Sequence, residues 1–290
     1  MTLINFINFY LVPGVVQGSV YALGAIAVTL VFAIMRYGHF AHGDLATLGA
    51  FIALLCTTAL GISPYLSLPL AIVAAGIIAV LIDRLFYAHL RSRPKIITTI
   101  ASFGVALMLR AVIQVFWGVD TTSYARGITR PENWWGIRVK SHELITLAVA
   151  VAIVVALQIF LTRHKWGRAM RAVSNNPDLA QLSGVDNNKV IALTWMIVGG
   201  LCAASGFFLG LNTELKAIMG WNVLLPTFAA AILGGVGRIE GAIVGGFIVG
   251  IVEELSVMII PSEYKMLSSF AILLLVLLVR PTGIFRGKLL

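Results

Sequence analysis

Charge is scarce in this chain. Only 11% of its 290 residues are Asp, Glu, Lys or Arg and 59% are apolar, against about 25% charged and 45–50% apolar in soluble domains. So little polar surface excludes a water-soluble particle and implies a polytopic membrane protein. Cysteine is nearly missing: Cys56 and Cys202 both lie in apolar stretches, which excludes a disulfide framework and a thiolate metal site. No G-x-x-x-x-G-K-[S/T] run occurs, so the chain holds no P-loop for nucleotide phosphates. No Lys or Arg precedes Arg36, so a cleavable leader with a basic start is not expected.

What is present in quantity is long apolar runs. A membrane-spanning helix needs about 20 mostly apolar residues. Candidates fall near 10–34, 44–61, 65–88, 96–117, 143–162, 190–211, 239–260 and 265–280, with a weaker one at 221–237. The expected fold is therefore all-α with eight to nine transmembrane helices in a single domain, 1–290. Helix-stopping chemistry marks the breaks: Gly61-Ile-Ser-Pro64, Arg93-Pro94, Asn176-Pro177, Pro261 and Pro281.

Orientation follows from Lys and Arg in short loops. Basic clusters at 84–95, 163–189 and 280–288, with Arg36 and Arg238, fall on one side only if the chain crosses nine times. The N-terminus is then periplasmic and the C-terminus cytoplasmic. Fourteen of the 21 Lys and Arg lie inside, against five acids: Asp44, Asp83, Asp178, Asp186 and Glu240. The excess of +9 is thus a topology signal aided by membrane lipid, and it requires no nucleic-acid partner. The longest outer loop, 118–142, is flanked or interrupted by Trp117, Tyr124, Trp134 and Trp135. These residues mark the headgroup level or a surface for an external partner.

No set of residues has the pattern of a catalytic site. His39, His42, His89, His142 and His164 fall at expected membrane edges, without Cys, Asp or Glu at metal-ligand spacing. No Ser or Cys comes with a placed base. Neither a metal nor another cofactor is expected in this chain. The polar groups at depth are few: Arg110 in the fourth span, Glu253 and Glu254 in the eighth. Either Arg110 pairs with one of these acids across the bundle, or the three line a solute path.

The 28 glycines recur at spacings of three and four in the later spans, which lets helices pack closely. Gly234, Gly235 and Gly237 break a helix and read as a tight cytoplasmic turn before Arg238 and Glu240. Two further interruptions, Arg36–Gly43 and Asn212–Trp221, stand at matching places in an inverted repeat of spans 1–4 and 6–9. Phe40, His42 and Gly43 in the first of these are candidate pore or helix-break residues, as are Gly234, Gly235 and Gly237.

The loop 163–189 carries the most local information. Asn176 suits an N-cap, Pro177 the first helical position and Asp178 the positive helix end. Gly184 suits the stop. A short helix over 177–183 follows, with Leu179 and Leu182 on one face and Asp186 capping the next span. The residues alone allow two readings, a helix tucked against the bundle or an apolar knob that a cytoplasmic partner grips.

Four segments resemble one family. Gly38-His-Phe-Ala-His-Gly-Asp44 is similar to the N-F-A-H-G-E/D segment of the LivH-type permeases of branched-chain amino acid ABC importers, departing at His39. Arg168-Ala-Met-Arg-Ala-Val through Leu182-Ser-Gly-Val-Asp186 resembles their cytoplasmic loop, Ala230 to Gly246 their Gly-rich segment, and Arg280-Pro-Thr-Gly-Ile-Phe285 their ending. The set spans residues 10–286 in order. The resemblance implies an ABC importer permease in the bacterial inner membrane, carrying leucine, isoleucine, valine or related small amino acids. It implies a second, LivM-type permease subunit, two ATPase subunits that hold ATP and Mg, and a periplasmic solute-binding protein. It further implies that Pro177, Asp178, Leu179, Ala180, Leu182 and Gly184 form the ATPase-coupling helix. The alternatives are a permease for urea, short amides or other small organic solutes, and a self-sufficient secondary transporter.

Overall fold

In lipid, backbone N–H and C=O groups can be satisfied only within the chain, so long apolar runs fold as helices. The computed structural model describes residues 3–124, 131–134 and 136–287. Its helices are α1 (Leu3–Met35), α2 (His42–Leu60), α3 (Pro64–Leu90), α4 (Lys95–Trp117), α5 (Ser141–Arg163), α6 (Lys165–Asn175), α7 (Pro177–Leu182), α8 (Asn187–Asn212), α9 (Met219–Gly234), α10 (Ile239–Ser256) and α11 (Ser262–Val279). Among the described residues, α1 to α5, α8 and α11 are long and apolar enough to cross a membrane. The apolar helix α9 has 16 residues, and α10 has 18 but carries Glu240, Glu253 and Glu254. These nine helices match the nine apolar runs of the sequence.

Helices α1 and α8 form the centre, with Leu23, Ile26, Trp195, Phe207 and Phe208 fully buried. Small residues let the backbones meet. Gly206 of α8 lies against Ala46 of α2, and a Cβ on Gly18 of α1 would stand 2.8 Å from Cα of Phe247 on α10. Helices α4, α5 and α11 form the rim, exposing Phe116, Ile159 and Leu278. Lipid tails or another apolar surface suit such faces.

Between α4 and α5 a hairpin joins β1 (Glu132–Trp134) to β2 (Ile137–Val139), and Thr122 pairs with Leu215. Tyr124 is not at a headgroup surface: it is buried and its hydroxyl donates to the Ala50 carbonyl at 2.9 Å. An OH group so buried needs a partner inside the bundle, and the second lone pair of this mid-helix carbonyl on α2 supplies it. Trp135 lies outside the described residues.

Candidate functional site

The first functional feature is α7, and its sequence dictates its ends. Asn176 is extended (φ −152°, ψ 105°), and its side chain accepts from the N–H groups of Asp178 and Leu179 at 3.1 and 3.0 Å. Pro177 occupies the first position, where no N–H is needed. The end is a Schellman motif: Val185 N–H donates to the Ala180 carbonyl at 3.0 Å, Gly184 N–H to that of Gln181 at 2.9 Å. Gly184 takes the required left-handed φ of 84°. Ser183, expected as the last helical residue, is the C-cap. Asp186 caps α8 through Asn188 N–H and Lys189 N–H at 3.0 and 3.2 Å. The Lys189 amide holds the Asp186 carboxyl below the usual carboxylate range.

Two turns this short do not hold themselves together in water. Ala180, 5% exposed, seats the helix on the bundle, whereas Leu179 is 60% and Leu182 86% exposed. The helix is thus seated on the bundle by Ala180 while Leu179 and Leu182 project from it. Asn187 Nδ2 donates to the Pro177 carbonyl at 3.0 Å, tying α7 to α8. Beside it stands α6, a helix that caps and breaks did not announce; Met170 and Val173 bury its inner face. Gly167 permits the sharp entry, since a Cβ there would lie 2.5 Å from Cα of Leu161.

The second feature is a junction inside the bundle. His39 and His42 are enclosed by the bundle, each 2% exposed. After Met35 the chain turns back between the helices, so α2 starts beside the middle of α1. His42 Nε2 lies 3.0 Å from the Gly24 carbonyl, eleven residues or about 16 Å before the end of α1. With Nε2–H donating there, Nδ1 is left to accept from the Cys202 thiol at 3.5 Å. Phe40 N–H donates to Ser102 Oγ at 2.9 Å, and its ring stacks on Phe228. The other interruption meets this one. Gly43 and Gly220 lie back to back, so a Cβ on Gly43 would sit 2.7 Å from the Gly220 carbonyl carbon. Gly220 N–H, an open donor at the start of α9, is accepted by Thr47 Oγ1 of α2 at 3.0 Å. The starts of two short helices thus abut within the bundle.

This fold-back corrects two further expectations. Asp44 is not an inner-surface acid: its side chain is fully buried and pairs with Arg110, whose Nε and Nη2 donate to Oδ1 and Oδ2 at 2.9 and 3.1 Å. Arg110 therefore does not pair with Glu253 or Glu254. Lys265 Nζ binds Glu254 at 2.8 Å and Ser269 Oγ lies 3.3 Å from Glu253. Asp44 wins because the inward start of α2 brings it to the depth of Arg110, and the positive end of α2 adds to its stabilisation. The guanidinium also lies 4.9 Å over the Trp221 ring, a cation–π contact.

The Gly-rich run is a turn, as its residues imply. Gly235 (φ 107°) and Gly237 (φ 88°) connect α9 to α10 after Gly234 ends α9. The C-terminal segment docks on it: Ile284 N–H and Phe285 N–H donate to the Leu233 and Gly234 carbonyls at 2.8 and 3.1 Å. This turn is a helix break, remote in the sequence and in its contacts from the Asp44–Arg110 junction.

Known proteins match this chain along most of its length. The family described as branched-chain amino acid transport system, permease component, matches residues 10–277. The high-affinity branched-chain amino acid transport system permease protein BraD of Pseudomonas aeruginosa is 31% identical, covering 94% of each chain. LivH of Escherichia coli K12, of the same description, is 33% identical over 93% of this chain and 92% of its own. Among solved structures, PsaBC from Streptococcus pneumoniae in complex with Fab shares the fold, with a TM-score of 0.54 and 16% identity, over 96% of this chain and 95% of the other. The chain belongs to the family of branched-chain amino acid transport system permease components.

Proposed function

We propose that this chain is the permease subunit of an importer that moves branched-chain amino acids, or related small amino acids, across the inner membrane. It works beside a second permease subunit, is driven by separate ATPase subunits, and receives solute from a periplasmic binding protein. The α7 side faces the cytosol and the β1–β2 side the periplasm. One observation carries the reading: Leu179 and Leu182 project from a helix that is capped at both ends and anchored on the bundle. Exposed leucines on a fixed knob are a grip for a partner's groove.

Three attachments give that grip mechanical reach. The Asn187–Pro177 bond joins α7 to α8. Arg36, at the end of α1, donates to the Ser174 and Asn175 carbonyls at 3.5 and 3.4 Å at the end of α6. Arg36 also begins the segment that leads to Gly43. A push on α7 by ATP-driven closure of the ATPases therefore reaches the α2–α9 junction, whose paired helix starts shift as rigid pieces between inward- and outward-open states. Arg110, 17% exposed beside Trp221, offers a polar contact for a solute carboxylate at this depth.

The test is purification in mild detergent with partners left in place, then reconstitution with leucine, isoleucine and valine. Co-elution of an ATPase and a second permease, with ATP-dependent uptake, is the expected result. A lone chain that transports down an ion gradient overturns it.

A further inference from the structure

A cavity of about 200 Å³ lies at the root of α7, between α1, α3, α4 and α8. Its size is the space of several waters, or of one small organic molecule. Three polar groups on its wall have unspent capacity or charge. The Tyr37 hydroxyl is buried with no partner among the described residues. Asn187 Oδ1 is likewise buried and unpartnered, and it is fixed as an acceptor because Nδ2 donates to Pro177. Lys95 has no ion-pair partner among the described residues. Asp83 is already paired with Arg91. Arg91, Tyr87 and Thr98 add further polar wall, and Ile34, Met35, Val173 and Ile191 supply an aliphatic patch.

Buried polar atoms without partners cost free energy unless something bonds to them. Here the unmet needs are complementary, a donor hydroxyl on Tyr37 and a bare carbonyl acceptor on Asn187, and the exposed ammonium of Lys95 adds positive charge beside them. A neutral ligand makes no use of the positive charge of Lys95, and a simple anion leaves Asn187 Oδ1 unanswered. A molecule with a carboxylate, an ammonium and an aliphatic side chain answers all of them. We infer that this cavity is a cytosolic regulatory site for a free α-amino acid. The carboxylate binds Tyr37 and Lys95, the ammonium binds Asn187 Oδ1, and the side chain lies on the aliphatic wall. The inference rests on the amino-acid importer reading. Its consequence is feedback. The ligand bridges the end of α1 and the Asn187–Pro177 tie, so its binding holds α7 still and slows the cycle when the cytosol is replete.

The experiment uses the complete importer in nanodiscs, with radiolabelled L-leucine and no binding protein, reading equilibrium binding and ATP hydrolysis. Leucine binds and slows hydrolysis severalfold. Tyr37→Phe and Lys95→Gln each raise the half-inhibitory concentration about tenfold, the loss of one charge-assisted hydrogen bond. Leucinamide and 4-methylpentanoate, each missing one charge, are weaker inhibitors by at least that factor. Absence of inhibition, or inhibition equal in wild type and both variants, overturns the site while leucine uptake with the binding protein leaves the importer reading intact. Failure of the wild-type complex to transport any branched-chain amino acid overturns the importer reading and the site together.

Discussion

Arg110 on α4 and Asp44 on α2, 66 residues apart, form a two-pronged ion pair whose acid is entirely enclosed. Removing the cation leaves an enclosed carboxylate with only the α2 N-terminus for compensation. Arg110→Ala is expected to cost about 3–5 kcal/mol, the usual penalty for orphaning one member of such a pair. It should lower the thermal unfolding temperature of the purified protein. Asp44→Asn combined with Arg110→Gln leaves no charge and should recover most of that loss, while uptake stays impaired because the solute contact is gone. A double variant as unstable as Arg110→Ala would mean that the pair is not the source of the cost.

Leu182→Asp separates folding from coupling. At 86% exposure this side chain contributes little to the bundle, so stability should change by no more than about 0.5 kcal/mol. ATP-dependent uptake should be abolished, and Leu179→Asp should act alike. Ala180→Asp is the contrast, since it buries a carboxylate against the bundle and should unfold the α7 region outright. Thermal melts beside uptake assays distinguish the two effects; normal uptake in Leu182→Asp would remove the case for α7 as the coupling helix.

The parts of this architecture that local chemistry controls were legible in the sequence. Apolar run length gave the nine helices. Asn176, Pro177 and Gly184 gave both ends of α7 because caps act within three or four residues. The Asp44–Arg110 pair was not legible, because it depends on the depth at which α2 begins. That depth is set when residues 36–41 fold back between helices, a tertiary event without a periodic signature. One signal stood in the open: His39, His42 and Asp44 flank Gly43 at an interruption, and polar residues grouped beside a glycine at a break mark backbone that enters the bundle. Helix α6 was missed for a different reason. It forms no apolar run: Met170 and Val173 face inward while Arg168 and Arg171 face out, so its signal is the amphipathic period and not run length.

Close approach at the junction makes a sharper steric prediction. Gly43→Ala and Gly220→Ala each place a methyl into the partner helix's backbone, which cannot rotate away as a side chain can. Overpacking typically costs about 1–3 kcal/mol, and the upper end or beyond is expected here. Gly104→Ala on α4 meets nothing within 4 Å. It should hold or raise stability by up to about 1 kcal/mol through helix propensity. Equal melting temperatures for the three variants would show that α2 and α9 have room to separate.

Arg36 offers the cleanest test of how force reaches the junction, because its backbone and side chain pull in opposite directions. Its φ of 58° is left-handed, which costs a non-glycine residue about 1 kcal/mol. Its guanidinium gains only two long hydrogen bonds, at 3.5 and 3.4 Å, to the carbonyl end of α6. Arg36→Gly removes the strain along with the tether, so the melting temperature should be unchanged or slightly higher. Uptake per ATP hydrolysed should nonetheless fall severalfold, since α6 and α7 could move without carrying the segment that leads to Gly43. Arg36→Ala loses the tether and keeps the strain, so it should match the glycine variant in coupling and fall below it in stability. Full coupling in both variants would route the push through α8 alone, by way of the Asn187–Pro177 bond.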